Sequence, residues 1–176
     1  MKIFDNFYHQ FMKKSENTEG VSGQDGSAVV LEDIYFEVED LLCFERAIRF
    51  CYASLEMMIH NRSIRHQCQN FAKWSLTNEG ELEGILAESF SDDIKIKKEY
   101  QPYTLPNEDL NVEAVLSLGL VLSEYRLSIY QEMRKHLPTK NRILLNHIIS
   151  HIEEEIKFFN REKEFLQVEG ILYSLN

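Results

Sequence analysis

The chain has 176 residues, 44% of them hydrophobic and 27% charged, enough for one soluble domain with its own core. Its net charge is -10 and its pI about 5.1, which argues against a nucleic-acid surface, since that needs a basic stripe. Three cysteines, Cys43, Cys51 and Cys68, with no CxxC pair, read as free thiols in a reducing compartment rather than a thiolate metal site.

Residues 2–14 carry Phe4, Phe7, Tyr8 and Phe11 at helical spacing and predict a short amphipathic N-terminal helix. Asp5 and His9 fall where a signal peptide needs its apolar region, so the expected location is cytoplasmic. The segment SENTEGVSGQDGS follows, and the organisation reads as a helix over 1–14, a flexible linker over 15–28 and a bundle over 29–176. No apolar run approaches the ~18 residues of a membrane span.

Helical periodicity then predicts four long helices: Val29–Ile59, Ser63–Phe90, Asn107–His136 and Lys140–Phe165. Asn61 and Arg62 break the first pair, and LPT at Leu137–Thr139 breaks the second. Between the pairs lies a long connection holding Pro102 and Pro106, after which Asn107 is the expected N-cap. Short links within pairs and one long link between them predict an all-α, antiparallel four-helix bundle. The tail VEGILYSLN is apolar.

Four glutamates stand out. Glu45 shares a side with Leu41, Ile48 and Tyr52, because helical residues advance by ~100° each. Glu124 interrupts the nearly apolar run LSLGLVLSEYRLSIY, and Glu79 and Glu153 lie on the second and fourth helices. The interval from Glu45 to Glu79 is 34 residues and that from Glu124 to Glu153 is 29. Each interval carries the chain up one helix and back to a similar depth. Inward carboxylates at one level repel unless a cation resolves them. The alternative for Glu45 is a buried ion pair with an arginine such as Arg126. Glu79 and Glu153, each among other acids, also read as solvent-facing. A second constellation, His147, His151 and Glu155, stacks three potential ligands on one helical face, but that face is expected to point away from Ile152 and Ile156.

With these segments in view, the chain resembles the rubrerythrin-like branch of the ferritin-like superfamily over about residues 30–165. ERAIRFCY (Glu45–Tyr52) and EYRLSIY (Glu124–Tyr130) match the family's glutamate segments on helices one and three. EGEL (Glu79–Leu82) and EEEI (Glu153–Ile156) stand where the family has Glu-x-x-His, so Leu82 and Ile156 replace both histidines. The resemblance implies a carboxylate di-iron site held by Glu45, Glu79, Glu124 and Glu153, weakened by the missing nitrogen ligands. With metal bound, the implied chemistry is iron oxidation or peroxide reduction. The rubredoxin-like domain of full rubrerythrins has no counterpart in this sequence. The alternative expectation is a metal-free ferritin-like scaffold acting through binding, with the N-terminal helix and C-terminal tail as contact surfaces. A homodimer is expected in either case.

Overall fold

The computed structural model describes residues 26–89, 111–137 and 139–169. The expected helix over 1–14, the linker up to residue 25, the connection over 90–110 and the apolar tail from residue 170 lie outside the described residues. Four α-helices make up the described chain, with no strand among them: α1 Gly26–Met58, α2 Arg62–Ser89, α3 Val112–His136 and α4 Thr139–Glu169. None is long and apolar enough to cross a membrane.

The predicted helices all appear, with shifts at their starts. α1 begins at Gly26, inside the stretch read as linker. α3 is capped by Asn111 rather than Asn107: its side chain accepts from the Ala114 N–H at 2.8 Å, and Glu113 sits in the first turn. Either asparagine satisfies the composition rule, and Asn111 stands three residues before the helical N–H of Ala114, which needs an acceptor. Asn61 caps α2 through Ser63 N–H at 2.9 Å and Ile64 N–H at 3.3 Å. At the turn between α3 and α4, Arg142 donates from Nε to the Leu137 carbonyl at 2.7 Å. A cation there complements the negative end of α3.

α1 packs against α2 and α3, α4 packs against α3, and α2 meets α4 along a thinner seam. The core falls into two apolar clusters. One is built from Ile48, Tyr52, Leu55, Phe71, Leu116, Leu122 and Phe159, and the other from Leu41, Leu82, Tyr130, Met133, Leu145 and Ile152. Burying each large apolar side chain contributes about 1.5–3 kcal/mol. Gly119 is required by this packing, because a Cβ there would meet the Phe159 ring at 2.3 Å. Phe159 in turn stacks on Tyr52 with ring centroids 5.7 Å apart.

Along each helix, the residues between the two clusters are polar. They are Glu45 on α1, Ser75 and Asn78 on α2, Ser123 and Arg126 on α3, and Glu155 on α4, all of them buried. A polar layer therefore divides the apolar core.

Candidate functional site

Arg126 is the centre of that layer. Its side chain and those of Glu45 and Glu155 are all 0% exposed. From Nε it donates to Glu45 Oε1 at 3.1 Å, and from Nη2 to both oxygens of Glu45 at 2.7 and 2.9 Å. Nη1 donates to Glu155 Oε2 at 2.8 Å. The planar guanidinium thus clamps one carboxylate with two nitrogens and holds a second with the third.

Hydroxyls complete the layer. Ser75 donates to Glu45 Oε2 at 2.6 Å and Tyr130 to Glu45 Oε1 at 2.9 Å, while Ser123 reaches Glu155 Oε2 at 3.4 Å. Glu155 Oε1 and the Tyr52 hydroxyl are both buried without a hydrogen-bond partner, yet Glu155 lies near enough for its charge to act on Tyr52.

With both acids ionised, two negative charges face one positive charge. Burial raises the carboxyl pKa of Glu155; Arg126 opposes the shift and Glu45 reinforces it. Burial alone would favour neutral Arg126, but Glu155 and Glu45 outweigh it and hold the guanidinium charged. Burial, with Glu45 adding to it, keeps Tyr130 protonated well past its ordinary range, so it serves Glu45 as a donor. A buried charge layer of this kind fixes helix register, because shifting any helix would leave a charge unpaired.

The four glutamates expected to converge do not do so. Glu45 is buried, but Arg126 engages it. Glu79 is nearly buried, at 8% exposure, and it faces α1, where Arg46 Nε donates to it at 2.5 Å and Arg49 Nη2 donates to its other oxygen. Glu124 and Glu153 are exposed. Glu124 follows buried Ser123 by ~100° of helix, which turns it out of the inward stripe. On α4 the inward stripe is Ile148, Ile152, Glu155 and Phe159. Glu153 stands one residue past Ile152, on the outer side.

Glu155 reverses the expectation that its face points away. It lies three residues after Ile152 and four before Phe159, a spacing that faces the core. That spacing was the signal in the sequence. Its former companions part from it: His147 is exposed, and half-buried His151 stacks on Trp74 at 4.2 Å. Leu82, standing in place of a family histidine, is fully buried and apolar-packed, and Ile156 lies against the same cluster.

The residues present do not fit a di-iron pair. The buried carboxylates already coordinate a guanidinium, and the other two expected ligands face solvent. Among the described residues, no three His, Cys, Asp or Glu side chains form a group that could hold a metal ion. What the arrangement does chemically is balance charge: an internal cation neutralises buried acids. No family model matches the chain, and neither a curated protein nor a solved structure shows significant similarity to it.

Proposed function

We propose that this chain is a metal-independent four-helix scaffold of ferritin-like topology that works through binding rather than through di-iron chemistry. One observation carries the reading: the Arg126 guanidinium lies between Glu45 and Glu155 in the central layer of the core. A permanent cation there does the neutralising that a bound metal does in a carboxylate bundle.

Contacts between helices support the topology. Glu45 meets Ser75 and Tyr52 meets Phe71, while Arg126 meets Glu155 and Gly119 abuts Phe159. Within each pair, numbers rise along one helix as they fall along the other, as antiparallel hairpins require. Across the pairs, Tyr52 meets Phe159 and the Glu45 layer holds Glu155, so α4 runs with α1. The start of α3 then lies a helix length from the end of α2. For the 28 residues of α2 that is ~42 Å, within reach of the 22 residues between Ser89 and Val112.

Self-association as a homodimer belongs to the same reading, with exposed Val121 and Tyr125 on α3 as apolar surface. The test is metal content beside stability. Protein purified without chelator should carry substoichiometric metal, and its thermal melting should be indifferent to chelator and to added iron. Stoichiometric iron, with melting lowered by chelator, would overturn the proposal.

A further inference from the structure

Tyr52 meets Phe71 and Phe159, and Gly119 abuts Phe159, so these four residues mark one level of the bundle. Past that level, toward the turn between α1 and α2, each helix adds one half-buried apolar residue packed on the same core cluster. They are Met58, Ile64, Val112 and Leu166. Met58 lies six residues from Tyr52, and Ile64, Val112 and Leu166 lie seven residues from Phe71, Gly119 and Phe159. At ~1.5 Å per residue all four stand about 9–11 Å from the marked level. With the helices running as argued above, they form an apolar ring across one end of the bundle.

That end is open. Met57, beside the ring on α1, is 78% exposed, and Val168, in the last turn of α4, is 84% exposed. No other large apolar residue among those described is as exposed as these two. A contiguous apolar patch of this kind marks a surface that something covers. We propose that residues 171–175 of the same chain cover it, as a cap on the end of the bundle. The assignment rests on the topology proposed above, and it gives one of the two apolar terminal segments an internal binding site.

Three observations choose this occupant. First, α4 ends at Glu169, so the chain leaves the bundle at the open end. Second, the residues that follow, GILYSLN, bring Ile171, Leu172, Tyr173 and Leu175 with no charged side chain. Gly170 stands directly after the helix, where glycine lets a chain reverse direction. Third, the reach fits. Six residues separate Leu175 from Glu169, at most ~20 Å of extended chain. Neighbouring helices lie ~8–10 Å apart, so this length crosses the end but does not reach the far one.

The rival occupants are placed less well. The aromatic stripe of Phe4, Phe7, Tyr8 and Phe11 joins the bundle at Gly26, the opposite end of α1. A second copy would have to compete with a segment tethered beside the ring, whose effective concentration is on the order of mM.

Methionine methyl resonances of the full chain read the contact, because Met57 and Met58 lie at the ring and Met133 is buried in the other apolar cluster. Deleting residues 171–176 should shift the Met57 and Met58 signals and leave Met133 in place. The full-length double variant Leu172→Ser with Leu175→Ser should move the same two signals. Both variants should melt several degrees below the parent, with helical circular dichroism retained. The shifts should be the same in dilute and concentrated protein, because the contact is within one chain. Met57 and Met58 signals unmoved in either variant would overturn the proposal. So would a difference from the parent that disappears on dilution, which would assign the end to a second copy. Failure here leaves the metal-independent reading standing, because that is tested by metal content and by melting with chelator.

Discussion

Replacing Arg126 with methionine is the perturbation to which the core should respond most. The side chain is fully buried and makes four charge-assisted hydrogen bonds, three to Glu45 and one to Glu155. Methionine fills much of the volume but leaves two carboxylates in a dry layer. Removing one partner of a buried ion pair costs about 3–5 kcal/mol, and here two acids are orphaned at once. The expected loss near neutral pH is therefore at the upper end, ~5 kcal/mol, a large part of the 5–15 kcal/mol that holds a domain of this size together. The loss should depend on pH with a definite sign. Without the guanidinium to oppose it, burial holds the folded-state pKa of Glu155 above its unfolded value. Such a group contributes stability that is fully present below the unfolded pKa and lost as pH rises through the folded pKa. The variant should thus recover toward the parent as pH falls, and diverge from it as pH rises toward the raised pKa of Glu155. Urea unfolding followed by circular dichroism at several pH values measures both effects. A loss below ~1 kcal/mol at neutral pH, as for an exposed pair, would refute the reasoning, and so would a loss that does not change with pH.

Further expectations concern neighbouring residues. Glu155→Gln removes an acid whose pKa burial raises while keeping an acceptor for Arg126, so unfolding above neutral pH should show equal or slightly greater stability than the parent; a large loss would mean that the negative charge itself is needed. Gly119→Ala forces a Cβ into the Phe159 ring and should lower stability by about 1–3 kcal/mol, the usual cost of overpacking, with the near-ultraviolet signal of Tyr52 altered; an unchanged melting temperature contradicts the packing. His151 stacks on Trp74, the single tryptophan, and burial, with His147 adding, lowers the His151 pKa from its ordinary 6.5. Stability from this contact is present above that ordinary value and is lost as pH falls through the lowered one. Trp74 fluorescence should therefore titrate with a midpoint below 6.5, and a transition persisting in His151→Gln would contradict the assignment.

The helices were legible because apolar residues recur with helical period over long uninterrupted stretches, and their ends were legible where Asn61 or the LPT turn interrupts them. Depth along the bundle was legible too: Glu45 does lie in the central layer. The facing of individual acids was not. On α3 the run from Leu116 to Tyr130 is apolar almost all round, so hydrophobicity alone does not choose which polar residue turns inward. Ser123 and Arg126 turn in, and Glu124 turns out. On α4 three consecutive glutamates leave the choice to spacing against Ile152 and Phe159, which selects Glu155. An arginine at the core centre breaks the rule that long charged side chains lie outside. Its pairing with Glu45 was the alternative that the sequence offered, and the structure shows it; the second acid, Glu155, distant in sequence, was what the sequence did not join to it.

The central claim is that Arg126 is the cation of the core, and arginine-resolved nitrogen magnetic resonance tests it most directly. A guanidinium clamped by two buried carboxylates rotates slowly and is shielded from exchange. The account predicts that the Arg126 side chain gives separate Nη signals with protected protons, that they persist at high pH, and that they vanish in Arg126→Met. An Arg126 signal averaged and exchanging like that of exposed Arg65 would contradict it.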